Sequence, residues 1–317
     1  MLLHEYKNMP VLVTGGCGFI GSHLVQKLVE YGAHVTIIDN LSTGSIVNIK
    51  NVQHNVNFIQ ESIVDLNACM RASKGQKFIF HQAAYISVPG SIENPTTCHE
   101  TNVIGTLNLL EAAQKNNIER FVFASSAAVY GQREGICNET MPPNPTSPYG
   151  FSKLINEIYA QYYTNNFELN TIGLRYFNVH GANQNPHGTY AAVFTKLHYQ
   201  MAHNNHITIF GDGTQTRDFI SVSEVVNANL TLALLDPIHT QGQIFNIATG
   251  TSISLLTLIE HLKKQYPDYT GEILFQPKRV GDVTHSRADC SKYKTVCSHS
   301  TPHSSTTITK SPTIQIE

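Results

Sequence analysis

The stretch that limits this chain's fold most tightly is Val11-Leu-Val-Thr-Gly-Gly-Cys-Gly-Phe-Ile-Gly21. A short apolar run rich in β-branched residues ends in three glycines spaced by three, Gly15, Gly18 and Gly21. A helical pattern follows at once, with Leu24, Val25, Leu28 and Val29 on one face and Gly32 closing it. Strand, glycine turn and helix in that order suit a phosphate. Glycine lets the backbone turn tightly and lets a pyrophosphate approach the helix N-terminus, where unpaired N–H groups and the helix dipole favour an anion. Such glycines also occur in plain strand–helix turns, so their meaning depends on what surrounds them.

The next strand-like run, His34-Val-Thr-Ile-Ile-Asp39, ends in an acid. It lies about two dozen residues beyond the first glycine, where a dinucleotide fold places the carboxylate that meets the adenosine ribose hydroxyls. Asp39 repels a 2′-phosphate, and its neighbour Asn40 brings no compensating arginine, so NAD is expected rather than NADP. Further strands at 56–60, 78–82, 120–124 and 171–175 alternate with helices that include 95–115 and 148–165. That alternation predicts an α/β fold, a doubly wound Rossmann-type parallel sheet covered on both faces. The apolar helical pattern within 101–113, together with the helix around Tyr149, is a candidate surface for subunit pairing; ordinary core packing explains it equally well.

From about Asn178 the texture changes. Loops rich in Asn, Pro and Gly at 181–188, 211–216 and 279–282 alternate with helices near 191–203, 223–235 and 255–266. We read a smaller, discontinuous α/β substrate lobe. The expected division is an NAD-binding domain over 1–178, a lobe mainly over 179–292 with a return to the sheet, and an atypical tail over 293–317. Beyond Lys292 the many Ser and Thr residues, with Pro302 and Pro312 and no helical period, predict a loose tail.

Composition excludes other classes. Among the 317 residues, 14% are charged and the formal net charge is −2, with no Lys/Arg run to attract nucleic acid or an anionic membrane. No apolar run approaches the roughly 20 residues that span a bilayer, and the N-terminus does not read as a signal peptide. The six scattered cysteines form no CxxC pair and read as reduced thiols, which points to the cytoplasm. The sixteen histidines include no metal-ligand spacing, so no metal site is expected.

The chemistry concentrates in Ser147-Pro-Tyr149-Gly-Phe-Ser-Lys153. Tyr149 and Lys153 are four apart and share a helix face. A tyrosine has an ordinary pKa near 10, so work as a base near pH 7 needs roughly 3 units, or roughly 4 kcal/mol, of preferential phenolate stabilisation. A nearby ammonium and the positive ring of an oxidised nicotinamide are the obvious sources. Ser125 and Ser126 end another strand, where a hydroxyl can hydrogen-bond the oxygen that gains or loses its proton.

In GGCGFIGS, HQAA, TNVIGT, SSAAVYG, YGFSK, LRYFNVHG, GDGTQTRDFI and RVGDV, from about Pro10 to Lys292, the chain resembles the extended short-chain dehydrogenase/reductase superfamily in its nucleotide-sugar epimerase branch. The resemblance implies a tightly held NAD, a UDP-sugar partner inverted at C4, and a homodimer. Tyr149 would be the base and acid, Lys153 its electrostatic partner and ribose ligand, and Ser126 the assisting hydroxyl. Gly15, Gly18, Phe19, Ile20, Asp39 and Asn40 would hold the adenosine half and pyrophosphate. Ala83, Ala84, Asn102, Tyr176 and Phe177 would line the rest of the cofactor site. Ser62 and Ile63 stand near the adenine where the family usually carries an acid. Asn178, Arg217 and Arg279 would bind the diphosphate, with Phe210 near the uracil and Asp282 near its ribose; Ser87, Val88, Val193 and Ser286 complete the substrate set. Arginine suits phosphate oxygens through its planar fork.

Ser286 occupies the position after RVGDV where, in this family, a tyrosine narrows the site against a bulky 2-substituent. With the phrases HQAAYISVPGS and NPHGTYAAVF, it points to UDP-N-acetylglucosamine/UDP-N-acetylgalactosamine, alongside UDP-glucose/UDP-galactose. The implied cycle is redox-neutral: oxidation at C4, rotation of a 4-keto sugar, and return of hydride to the other face. UDP-glucuronate 4-epimerase is a rival that needs no extra residue; a dehydratase needs an acid beside the serine motif, where Ala127 and Ala128 stand, and a decarboxylase is a further alternative. A non-enzymatic NAD-binding sensor is the reading from a different class. Family members also usually end in a packed helix that residues 296–317 do not suggest, and Val88-Pro-Gly90 carries no basic group beside the diphosphate.

Overall fold

A computed structural model describes residues 2–133, 135–185, 193–278 and 284–299. In chain order its first elements are β1 (Pro10–Thr14), α1 (Phe19–Glu30), β2 (His34–Ile38), β3 (Val56–Ile59), α2 (Leu66–Ser73), β4 (Phe78–His81), and the short helices α3 (Val88–Glu93) and α4 (Pro95–His99). Next come α5 (Gly105–Lys115), β5 (Arg120–Ser126), α6 (Pro148–Phe167) and β6 (Thr171–Tyr176). The remainder runs β7 (Asn178–His180), α7 (Val193–Ala202), β8 (Ile207–Phe210), β9 (Thr216–Ser221), α8 (Val222–Leu234), α9 (Pro237–Thr240) and β10 (Gln243–Ile247). It closes with β11 (Ser252–Ser254), α10 (Leu255–Gln265), β12 (Ile273–Gln276) and α11 (Ser291–His299).

Seven parallel strands in the order β10-β6-β5-β4-β1-β2-β3 form the central sheet. Its strands are mainly apolar because both faces are covered, with Arg175 of β6 and Asn246 of β10 among the buried exceptions. Val11, Val13, Val35 and Ile37 pack with Leu24, Val25 and Leu28 of α1 and with Val225 and Val226 of α8. Leu12, Ile38, Ile79, Phe121 and Phe123 point the other way, towards α2, α5 and α6. The chain moves outward in opposite directions from β1 and β4, and the crevice between their C-terminal ends is where an open α/β sheet holds its ligand.

Two local devices set where Tyr149 and Asn102 stand. The Ser147 hydroxyl accepts the Gly150 N–H at 3.1 Å, and Pro148 occupies the first turn, so α6 begins one residue before Tyr149. The helical path expected over 95–115 is continuous but changes pitch at a π turn, Glu100–Ile104, which contains Asn102.

The second lobe has its own core. β11, β9 and β7 make a three-stranded sheet and β12 pairs with β8, while Phe194, Leu197, Ile207, Ile209, Leu258 and Leu262 bury one another. Between β9 and β11 the chain returns to the large sheet through β10 before re-entering the lobe.

The end of the chain corrects the expectation of a loose tail from residue 293. Ser291–His299 is helical. Tyr293, Val296 and Cys297, at i, i+3 and i+4, pack against the main core. The Lys292 ammonium donates to Ile244 O at 2.8 Å, 4.9 Å from the Phe245 ring centre. A polar composition hid three apolar residues on one helix face. Residues 300–317 lie outside the described residues.

Candidate active site

The glycine turn is shaped by close approach. Gly15 has φ +66°, and a Cβ there would stand 2.7 Å from Ala83 N at the end of β4. A Cβ on Gly21 would collide with the Gly15 carbonyl. Gly18 caps α1 with no side chain over the helix end, so the first-turn N–H groups, near Phe19 and Ile20, lack intrahelical acceptors. Asp39, 8% exposed, accepts the Cys17 N–H on Oδ2 at 2.9 Å and the Leu41 N–H on Oδ1 at 2.8 Å. It therefore ties the glycine turn to the end of β2, while each oxygen keeps a lone pair for a ribose hydroxyl. Asn40 is exposed and folds an Asx turn onto the Ser42 N–H. The cradle, the open helix end and the carboxylate fit a dinucleotide. At the sheet edge Ser62 accepts the Val64 N–H, and buried Ile63 lies where a Cβ on Gly105 would stand 2.6 Å from Ile63 Cδ1.

Ser126, Tyr149 and Lys153 converge beside this crevice. Ser126 ends β5 and accepts the Ala128 N–H at 3.1 Å. Tyr149 is half-buried, with the Ser126 hydroxyl near enough to favour its phenolate. The Lys153 ammonium, 3% exposed, lies 5.9 Å from the centre of the Tyr149 ring and donates to Ala124 O at 2.9 Å. Burial lowers the Lys153 pKa from 10.5 to about 8. Burial also raises the Tyr149 hydroxyl above its ordinary value, with the Ser126 hydroxyl opposing that rise. The protein groups alone therefore leave Tyr149 higher than the near-neutral base expected from its lysine, because removing a phenolate from water outweighs the hydroxyl that supports it.

Sequence reasoning missed a buried polar chain behind this set. His81, 2% exposed, bridges Thr14 Oγ1 through Nδ1 at 2.7 Å and Thr106 Oγ1 through Nε2 at 2.9 Å. Thr106 donates to Asn102 O at 2.5 Å, and Ala83 N–H donates to Thr14 Oγ1 at 3.1 Å. Burial, with Lys153 nearby, lowers the His81 pKa to about 3, so the ring is neutral. The donors then run in one direction: Thr14 to Nδ1, Nε2 to Thr106, Thr106 to the Asn102 carbonyl. Asn102, 1% exposed, accepts the Tyr85 N–H at 2.7 Å and donates to Tyr85 O at 3.0 Å and to Ser152 Oγ at 2.9 Å. Its side chain thus fixes the backbone just after Ala83 and Ala84. Tyr176 directs its hydroxyl to Gln82 and Asn229, and Phe177 packs on Tyr130, so both side chains are held within the core. Only HQAA and the proximity of Thr14 to Gly15 hinted at this chain.

Ser87 caps α3, where Val88 is exposed, and Ser91 of the same helix accepts the Tyr149 N–H at 3.1 Å. In the second lobe Asn178 donates to Asp218 O at 3.0 Å, Arg217 Nη1 to Thr216 O at 2.9 Å, and Ser286 N–H to Thr216 O at 3.1 Å. Asn178, Arg217 and Ser286 therefore gather on and beside one small sheet. Asp218, fully buried, holds it together, accepting the Thr249 and Gly250 N–H groups on opposite oxygens. Val193 begins α7 and Phe210 ends β8, both half-buried. Arg279 and Asp282 lie outside the described residues.

Residues 11–248 match the model of the NAD dependent epimerase/dehydratase family. A relative in Methanocaldococcus jannaschii, named as a putative UDP-glucose 4-epimerase, is 40% identical over 89% of this chain and 90% of its own. A solved UDP-N-acetylglucosamine 4-epimerase from Methanobrevibacter ruminantium, in complex with UDP-N-acetylmuramic acid, superposes with a TM-score of 0.87 at 36% identity, covering 92% of both chains. A UDP-glucose 4-epimerase from Thermotoga maritima, solved with UDP-glucose, gives 0.85 at 38% identity over 90% of this chain and 92% of that one.

Proposed function

The chain belongs to the NAD dependent epimerase/dehydratase family, and on that basis we propose that it is a UDP-sugar 4-epimerase acting on UDP-N-acetylglucosamine and UDP-N-acetylgalactosamine, with the plain UDP-hexoses also accepted. The observation that carries this reading is the convergence of Ser126, Tyr149 and Lys153 at the crevice beside the glycine turn. Gly15, Gly18, Phe19, Ile20 and Asp39 would hold the cofactor on one side of the crevice, and Ala83 and Ala84 on the other. When bound, NAD supplies the hydride acceptor and a positive ring that favours the tyrosinate.

Tyr149 takes the proton of the sugar 4-hydroxyl, and the Ser126 hydroxyl supports its phenolate. Lys153 holds positive charge against the same ring. Asn178 and Arg217, with Arg279 and Asp282, grip the UDP while the oxidised hexose turns over, so that hydride would return to the opposite face of C4; Tyr149 then gives its proton back to the 4-oxygen. Ser286 lies beside Arg217 and leaves room for a 2-acetamido group. We place the cofactor in the domain of residues 1–178 and the nucleotide sugar mainly against 179–292.

We also propose that two copies pair through α5 and α6. Phe151, Ile158 and Tyr162 of α6 are 52%, 59% and 50% exposed on one face, an apolar area of the kind that marks an interface. Sedimentation of a dimer supports this pairing, and a monomer at all concentrations rejects it. The epimerase reading is tested by incubating the protein with each UDP-sugar without added NAD. Absence of every C4 epimer from a protein that releases NAD on acid treatment overturns the substrate assignment.

A further inference from the structure

The elements that carry the reactive groups meet at one buried guanidinium. Arg175 of β6 is 4% exposed and lies beside Ser125 in the sheet register. Its Nε donates to Glu157 Oε1 at 2.9 Å and its Nη2 to Oε2 at 2.7 Å, while Oε1 also accepts the Ser125 hydroxyl at 2.5 Å. Glu157 sits on α6 one turn beyond Lys153 and two beyond Tyr149, so this contact fixes the helix that presents both. On its other side the guanidinium carbon lies 4.7 Å from the centre of the Tyr130 ring. Tyr130 ends the 3-10 turn Ala127–Tyr130, which Ser126 caps. The Tyr130 hydroxyl donates to Asn246 Oδ1 at 2.7 Å, so the ring is held at both ends.

We propose that Arg175 is a positioning residue for the reaction: through Glu157 on one side and Tyr130 on the other, it sets the distance between the Ser126 hydroxyl and Tyr149. The step it serves rests on the function proposed above. A buried ion pair is weak evidence of stabilisation, since apolar replacements often do as well; a pair joining two catalytic elements has a geometric reason to exist. Lysine cannot substitute for it. An ammonium is a point charge without the fork that engages both Glu157 oxygens or the flat face that lies on Tyr130.

The test uses Arg175→Lys in the full, NAD-loaded chain. Turnover should fall about 10- to 100-fold, with KM for the UDP-sugar within about threefold, because the loss is of alignment rather than binding. An ultraviolet difference titration of the tyrosinate, with Tyr149→Phe as the blank, should move up by about one unit as Ser126 support weakens. That titration needs no sugar. A wild-type protein that epimerises nothing therefore defeats the functional reading, while the titration still decides the role of Arg175. Tyr130→Leu removes the flat contact and the hydrogen bond to Asn246 but leaves the Arg175–Glu157 pair, and should shift both readouts in the same direction by less; it decides the question if Arg175→Lys does not fold. A folded variant with wild-type turnover overturns the proposal, as does lost turnover with an unmoved titration.

Discussion

The two sides of the crevice are built differently. On the sheet side, Lys153, Asn102 and His81 are 3%, 1% and 2% exposed, and each is held by other buried groups. On the lobe side, Arg217, Phe210 and Ser286 are half-buried, and Arg217 and Ser286 both bond the Thr216 carbonyl. Buried, mutually bonded groups cannot shift without breaking their partners' bonds, so they preserve a reactive geometry. Half-exposed side chains can differ in size and charge at little cost to the core. Under the proposed function, this contrast predicts that turnover depends on the sheet side and selectivity on the lobe side.

Substitutions should separate the two. The largest effect falls on Tyr149→Phe, expected to lower kcat about 10³-fold or more with little change in KM, as steady-state assays would read. A variant retaining full turnover would remove Tyr149 from the mechanism. The sheet side should also carry an acid-sensitive share of stability. His81 is neutral in the fold with a pKa of about 3, against an ordinary 6.5, so below pH 6.5 the unfolded chain takes up the proton first. Stability from this site is complete above pH 6.5 and declines as pH falls towards 3, by up to roughly 4 kcal/mol. Urea unfolding between pH 7 and 4 would read that slope, which His81→Asn should flatten.

Effects on the lobe side should be smaller and should appear in KM. Arg217→Ala is expected to raise KM for the UDP-sugar about 10- to 100-fold, the worth of a charge-assisted phosphate contact, with kcat within a few-fold. A fall in kcat at unchanged KM would contradict the division. Smallest is Ser286→Tyr, expected to reduce kcat/KM for UDP-N-acetylglucosamine about tenfold while leaving UDP-glucose within about twofold. Equal losses on both sugars would place Ser286 away from the 2-substituent.

Much of the sheet side was legible in the sequence because local signals coincided there. The strand runs are mainly apolar because both sheet faces are covered. The glycine turn requires its glycines for contacts that a Cβ would violate, and Tyr149 and Lys153 share a face on a helix whose start is marked by Ser147 and Pro148. What stayed hidden depends on residues distant in the chain. Nothing near His81 shows that Thr14 and Thr106 close on its two nitrogens, and nothing near Asp39 shows that it holds the glycine turn. Glu157 repeats the spacing from Tyr149 to Lys153, yet its meaning appears only with Arg175 brought alongside by β6. The final helix escaped notice because three apolar residues in a Ser- and Thr-rich segment are too few to announce a buried face.

Epimerisation in deuterium oxide, followed by NMR at C4, probes the proposed hydride cycle at the reacting atom itself. Transient oxidation with return of the same hydride predicts that UDP-N-acetylglucosamine and UDP-N-acetylgalactosamine interconvert while C4 keeps its original hydrogen. Solvent deuterium at C4 of the product would contradict that cycle, and so would the failure of any UDP-sugar to invert.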